Sequence, residues 1–189
     1  MHRLLLIVGV VSLMGLGAAL LPGQIRAATE CNGTVTGTVS GGLVVHAGDN
    51  CNVQGASASG GIRMDGGTLT VCGSTVTGGI VVAVTGANSA SSWVDIGNLE
   101  LGCNGNNISG GTKISGVQGA IPGDEQAASV EFEHNMFGGG LTVSNNGLVE
   151  IESNSVTGGC HAIGNAGVSN FENFLGPNVY SGGQDGCPD

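Results

Sequence analysis

The stretch SNSVTGGCHA, residues 153–162, is one occurrence of a phrase that recurs along the chain. VSGGLVV begins at Val39, STVTGGIVV at Ser74 and NNISGGTKI at Asn106. Each has an apolar residue, then Ser, Thr or a similar small residue, then Gly-Gly, then alternating residues. The Gly-Gly pairs lie 19, 18, 32, 29 and 19 residues apart, anchored at Gly41, Gly60, Gly78, Gly110, Gly139 and Gly158. The two long intervals are typical of ordinary repeats that carry insertions of 13 and 10 residues.

Within one repeat, apolar and polar residues alternate, as in VEFEHNMF from Val130 and VEIESNSV from Val149. A period of two predicts strands with one buried face. A fixed period near 19 predicts an all-β chain folded as a right-handed parallel β-helix of about seven coils, with no helix after the signal segment except in a cap. Its height would be about 30 to 35 Å at about 4.8 Å per coil.

The Gly-Gly corner explains why the phrase recurs. We expect glycine where a side chain would clash or where φ must be positive. The apolar residue before each corner should stack inside, as should the alternating residues after it, such as Leu43 and Val45. We also expect stacked amides that bond one another along the Asn column, at Asn106, Asn135, Asn154 and Asn173.

The first residues predict export. A cationic start, an apolar run at Leu4–Leu21 and small residues at Ala27 and Ala28 form a signal peptide, residues 1–28, with residues 29–189 as the β-helix domain. A membrane anchor is the alternative. After Ala28 the chain has two basic and fourteen acidic residues, a formal net charge of −12. Such a charge disfavours nucleic acid as a partner and membrane insertion after cleavage.

Six cysteines follow the signal segment, an even number that is typical of disulfides in an exported protein. Six cysteines permit 15 pairings. The repeat spacing favours three bonds between neighbouring coils, namely Cys31 with Cys51, Cys72 with Cys103 and Cys160 with Cys187. A cysteine metal site is disfavoured because the chain has no C-x-x-C pair.

These rungs and S/T-G-G corners resemble those of short secreted bacterial right-handed β-helix proteins. The rung length is also similar to that of the bactofilins, which are polymer-forming cytoskeletal proteins. The resemblance implies architecture and a secreted or cell-surface location. It is also compatible with self-association.

Pectate lyases and polygalacturonases resemble the chain in fold alone, and they imply polysaccharide as the substrate of any enzymatic activity. Arg63 and Lys113 share one predicted outward column, and Asp65 lies near Arg63. His46 and Asp65 occupy matching positions in successive coils, which predicts a hydrogen-bonded surface pair. No catalytic motif such as G-x-S-x-G occurs, so we predict no catalytic residues.

An ice-binding protein needs T-x-T arrays at one register over several coils. TVTGT at Thr34 and TLT at Thr68 are present, but later coils lack the motif at that register. Ice binding is therefore the second alternative.

The two insertions, at 85–93 and 116–128, follow the same strand of adjacent coils, so they should protrude side by side. They contain Trp93, which is the only tryptophan, and the acidic pair Asp124 and Glu125. Binding commonly resides in loops on a rigid scaffold. We therefore predict a recognition surface with Trp93 as an apolar or sugar-stacking plate and the two acids as polar contacts.

Four glutamates are candidate metal ligands, because Glu131 and Glu150, and also Glu133 and Glu152, are 19 residues apart. Their alternation with apolar residues places them on one outer face. Oxygen ligands suit calcium, which predicts weak Ca²⁺ binding. A solvated acidic face without metal is the alternative, and no other cofactor is expected.

The sequence thus predicts a secreted, non-catalytic structural or binding protein of the cell envelope or extracellular space. A polysaccharide-binding or polysaccharide-cleaving β-helix is the first alternative. Envelope polysaccharide and self-association are the predicted partners.

Overall fold

The structure, a computed structural model, describes residues 27–99, 102–170 and 176–189. The signal segment predicted at 1–28 lies outside these residues, except for its last two. The described chain is all-β, with parallel strands in curled sheets, as the alternating pattern predicts. Its one helix is a 3-10 helix at Gly86–Ser91, where the sequence predicted none. No helix among the described residues has the length and apolarity to cross a membrane.

One sheet contains eight strands, each hydrogen-bonded to the matching strand of the next repeat. Strand numbers follow chain order. In sheet order the strands are β1 (Thr29–Glu30), β3 (Leu43–Val45), β5 (Ile62–Met64), β8 (Ile80–Ala83), β11 (Thr112–Ser115), β14 (Leu141–Ser144), β17 (Cys160–Ile163) and β20 (Gln184–Asp185).

The second sheet contains twelve strands and divides at β4 (Asn50–Ala58), which also pairs with β2 (Gly33–Val39). The first half of β4 leads to one branch: β6 (Thr68–Cys72), β9 (Trp93–Ile96), β12 (Val130–Glu133), β15 (Leu148–Glu152) and β18 (Gly167–Ser169). The second half leads to the other: β7 (Thr75–Val76), β10 (Asn107–Ile108), β13 (Met136–Phe137), β16 (Ser155–Val156) and β19 (Val179–Tyr180).

The register locates the extra residues of the long repeats. Val82 and Val94 are 12 residues apart, whereas the equivalent Val143 and Val149 are 6 apart. The 13-residue excess of this repeat is therefore divided. Six residues lie between β8 and β9, and seven lie between β9 and β10. The sequence analysis had assigned all of them to 85–93, so it missed the loop at 97–105.

The interior is a continuous apolar core contributed by every repeat. The predicted inward columns are buried, including Leu43, Val45, Ile80 and Leu141, and only the terminal Val39 is partly exposed. Most members are Val, Ile or Leu, which accounts for a core with few aromatic rings. Phe132 and Phe137 form an edge-to-face pair with ring centroids 5.7 Å apart.

The two glycines of a corner are needed for different reasons. A Cβ on Gly110, the first of its pair, would lie 2.5 Å from the backbone nitrogen of Gly79 in the preceding repeat. Gly79, the second of its pair, has a φ of +80°, which side chains disfavour. The corner therefore needs glycine both for close stacking and for the left-handed backbone.

The predicted asparagine column forms a ladder of buried amides. Asn135 Nδ2 donates to Asn154 Oδ1 at 3.0 Å, and Asn106 Nδ2 donates to Asn135 Oδ1 at 2.9 Å. Asn173, its predicted next member, lies outside the described residues. Asn178 occupies the position below Asn154 and accepts a bond from its backbone nitrogen at 2.9 Å.

Three disulfides join the pairs that the repeat spacing favours: Cys31–Cys51, Cys72–Cys103 and Cys160–Cys187. The first and third lie towards opposite ends of the stack, where an exposed core needs closing. Three disulfides in one small chain are typical of an oxidising, extracellular environment.

Candidate functional site

The structure places the two insertions against each other. The backbone nitrogens of Gln118 and Gly119 donate to Ser89 and Ser92 oxygens, each at 2.9 Å. A Cβ on Gly119 would lie 2.8 Å from the Ser92 oxygen, so the glycine permits this close approach. The loops are thus one bonded unit beside β9.

A cleft of about 350 Å³ opens where these loops meet the preceding repeats. Trp93 and Ser91 come from the first insertion, and Pro122 comes from the second. The rest of the lining is contributed by the turns that precede β4 and β6, at Gly48, Asp49, Asn50, Gly67 and Thr68. The cleft therefore combines three neighbouring repeats with both insertions.

Trp93 is the first residue of β9, paired in register with Thr68. It is half-buried, and its ring contributes the aromatic part of the cleft. Because the insertion ends just before this residue, a regular strand fixes the backbone of Trp93. Such a position makes a rigid recognition surface.

The two predicted acidic contacts do not line the cleft. Asp124 accepts hydrogen bonds from the backbone nitrogens of Gln126, at 2.9 Å, and Ala128. Its carboxylate therefore stabilises its own turn. Glu125 is exposed on that turn. Asp49, which the sequence analysis did not select, is the carboxylate that lines the cleft.

The four glutamates come together as predicted, but their surroundings differ from the prediction. Glu131 is paired in register with Glu150, and Glu133 with Glu152. Asp95 extends the first column and is 1% exposed, while the exposure of Glu131 is 4%. All five carboxyls are buried, so the expectation of a solvent-facing surface was wrong. We call Asp95, Glu131, Glu133, Glu150 and Glu152 the carboxyl ladder.

The missed loop at 97–105 accounts for part of this burial. Asn98 Nδ2 lies 3.2 Å from both carboxyl oxygens of Glu131, and the Leu99 backbone nitrogen lies 2.5 Å from Glu133 Oε2. The Cys72–Cys103 disulfide ties the same loop to β6. The ladder is therefore enclosed between strands and a covalently anchored loop.

Burial raises the pKa of the carboxyls in this ladder. The pKa of Asp95 is raised to about 7, first by burial and then by the charge of Glu133. The pKa of Glu131 is raised to about 10, first by burial and then by its acidic neighbours, led by Asp95. Arg63 and Lys113, the two basic residues after Ala28, lie on the other sheet. The ladder thus retains protons at neutral pH.

The ladder contains the predicted calcium ligands. In the part of the chain that the structure describes, no group of three or more His, Cys, Asp or Glu side chains is arranged to hold a metal ion. Weak Ca²⁺ binding at Glu131, Glu133, Glu150 and Glu152 stays a prediction, and neutral, hydrogen-bonded carboxyls are the simpler chemistry.

The basic residues share one outward column, as predicted. Arg63 is in register with Val81, and Val81 with Lys113. The predicted His46–Asp65 pair is present, with Nδ1 3.0 Å from Asp65 Oδ2, and His46 Nε2 lies 3.2 Å from Glu30 Oε2. Asp65 is the first cause of the raised pKa of His46. Carboxylates thus contact both ring nitrogens, an arrangement suited to an exposed ion pair.

A second surface emerges from the β7–β19 branch, and the sequence analysis missed it by testing another register. Two exposed or half-buried columns of mostly hydroxyl side chains run across seven repeats without a charge. We call it the hydroxyl face. One column is Thr38, Ser57, Thr75, Asn107, Met136, Ser155 and Val179. The other is Ser40, Ser59, Thr77, Ser109, Gly138, Thr157 and Ser181.

Comparison with known proteins adds no identity. No family model, curated protein or solved structure matches the chain. The similarity to bactofilins is therefore confined to rung length, and functional inference rests on the geometry of the chain itself.

Proposed function

We propose that this protein is an exported, non-catalytic binding module of the cell envelope or extracellular space. Its scaffold would be a right-handed solenoid of about seven coils. The parallel ladders, the repeat near 19 residues and the three disulfides support this proposal. Right-handed crossovers predominate among parallel strands, which supports the handedness.

The cleft at Trp93 is the observation on which the binding function depends. Two insertions from adjacent repeats converge there and leave an aromatic ring beside polar groups of the scaffold. Ligand sites commonly combine a concave, partly aromatic surface with a few fixed polar groups. Envelope polysaccharide is the partner class that we propose.

Replacing both insertions tests this function. In the loop-replaced variant, residues 84–92 and 116–128 each become Asn-Asn-Gly, the connection at 145–147 of an ordinary repeat. We expect the wild type to bind glycans on an array and the variant to lose that binding. Circular dichroism melts of both proteins are the control for folding. Equal binding by a folded variant would contradict the proposal.

Polysaccharide cleavage is the competing activity. Reducing-sugar and unsaturated-uronate assays on the wild type should show no turnover. Turnover that survives purification and disappears in Arg63→Ala or Asp65→Ala would instead establish an enzyme.

The hydroxyl face favours ice binding as a second candidate function. Its side chains repeat about every 4.8 Å across strands and about every 6.6 Å along them, on a flat uncharged surface. Regularly placed hydroxyls can hold water in ordered positions.

We expect ice-binding activity, if it resides on this face, to inhibit ice recrystallisation and to be lost in Thr75→Lys. Thr142→Lys, on the eight-stranded sheet, is the matched control and should retain activity. Absence of inhibition by the wild type, or equal loss in both variants, would exclude the face.

A further inference from the structure

We infer that the Trp93 cleft binds an electrically neutral saccharide, with one pyranose ring stacked on Trp93. This inference rests on the proposed binding function and specifies the ligand class of the same site.

The apolar part of the cleft fits one face of a sugar ring. Trp93 presents an aromatic surface, and Pro122 from the second insertion contributes a second apolar ring. A pyranose has a C–H face that packs against an aromatic plate, while its hydroxyls point outward around the ring. The indole of Trp93 combines apolar area with a polar N–H, as is common at interfaces that are partly wet.

The polar part of the cleft fits the hydroxyls. Asp49 Oδ2 accepts the His46 backbone nitrogen at 2.9 Å, and the described residues provide no hydrogen bond to Oδ1. Asn50 is exposed beside it and can both donate and accept. Planar carboxylate and amide groups can therefore bond adjacent hydroxyls while the ring lies on Trp93.

Two glycines keep this wall low. A Cβ on Gly67 would lie 2.5 Å from the backbone oxygens of Asp49 and His46, whereas Gly48 has open space around it. Backbone rather than side chains therefore forms part of the cleft surface, which leaves room for a bulky ring.

Charge selects a neutral ligand over an acidic one. The chain after Ala28 carries a formal charge of −12, and no lining residue of the cleft is Lys, Arg or His. Asp49 would repel a uronate carboxylate at short range. Arg63 and Lys113, which could attract one, lie on the eight-stranded sheet instead.

Fluorescence titration gives a direct test, because Trp93 is the only tryptophan in the chain. Cellohexaose, chitohexaose and mannohexaose are the neutral probes, and hexameric oligogalacturonate and oligomannuronate are the acidic ones. We expect at least one neutral probe to change the emission of Trp93 and to bind at least about tenfold more tightly than either acidic probe.

Calorimetry on variants tests the two contacts. Trp93→Ala and Asp49→Asn should each weaken neutral-probe binding by about tenfold, which is typical of losing a ring contact or a charge-assisted bond. Trp93→Phe keeps an aromatic plate and should bind more tightly than Trp93→Ala, so a destabilised alanine variant does not decide the result. Glu125→Gln, outside the cleft lining, is the matched control and should bind as the wild type does.

Equal or tighter binding of the acidic probes would overturn the inference, as would neutral binding unchanged in both Trp93→Ala and Asp49→Asn. No response to any of the five probes would overturn it too. If the loop-replaced variant then loses a ligand of another class, the proposed function survives without this inference. If replacing the loops changes no binding, both fail.

Discussion

Gly110→Ala should destabilise the fold by about 3 kcal/mol or more, because the new methyl group would meet backbone that cannot move aside. Its Cβ would lie 2.5 Å from Gly79 N and 2.7 Å from Gly78 C in the preceding repeat. Forcing these corners apart would also disturb the hydrogen bonds on either side of them. For a chain of this size we expect a fall in Tm of about 6 to 12 °C.

Gly111→Ala is the matched control, since it adds the same methyl group one residue later. Its nearest neighbour would be Gly140 O at 3.9 Å, an ordinary contact, and its φ is not positive. We expect a change within about 1 kcal/mol. Thermal melts of both variants check the comparison, and equal Tm values would contradict the stacked-corner geometry.

Glu131→Gln should make the protein more stable than the wild type at pH 8 while leaving it similar at pH 4. The pKa of Glu131 is raised to about 10, and that of Asp95 to about 7, above their ordinary values near 4. The folded protein therefore holds protons that the unfolded chain releases. This stabilisation is complete below about pH 4 and is lost as pH rises towards 7 and then 10.

The loss amounts to at most about 1.4 kcal/mol per pH unit for each such group. Gln is neutral in both states, so it removes the contribution of Glu131 and keeps a side chain that can bond Asn98. His46 shifts stability in the same direction, but it is common to all the variants. Exposed Glu125→Gln is the control and should follow the wild-type pH profile.

Melting curves from pH 4 to pH 9 measure this effect. A Glu131→Gln protein that loses the same Tm at every pH would contradict proton retention by the ladder. Repeating the curves with millimolar CaCl₂ checks the calcium prediction. Stabilisation of the wild type, absent when all four glutamates are Gln, would support calcium binding.

The sequence predicted what depends on the repeat period. Each repeat must present the same apolar positions to its neighbours, so the inward columns, the glycine corners and the disulfide pairs could be located by counting. Leu43, Ile62 and Ile80 are in register because nothing interrupts their spacing. The asparagine ladder followed from the same period.

The rest depended on where extra residues enter a repeat, which counting between glycine corners does not show. The excess at Gly78–Gly110 could lie in one loop or two. Because part of it lies at 97–105, Asn98 covers Glu131 and a face expected in water is buried. The missed signal was the interval of 12 between Ile96 and Ile108, against 5 between Ile151 and Val156.

The cleft was only half predictable for a related reason. Trp93 and the meeting of the insertions followed from adjacent repeats, but Asp49 belongs to a turn some forty residues earlier, and only the stacking of repeats brings it near. Asp124 was a plausible contact in sequence, yet local backbone nitrogens occupy its carboxylate.

An amide chemical-shift map on adding a neutral oligosaccharide is the most direct test of binding at the insertion cleft. We predict that the largest shifts occur at Gly48, Asp49, Asn50 and Thr68 and at the indole N–H of Trp93. Shifts concentrated on the hydroxyl face, at Ser57 and Thr75, or around Arg63 and Lys113, would contradict the cleft as the binding site.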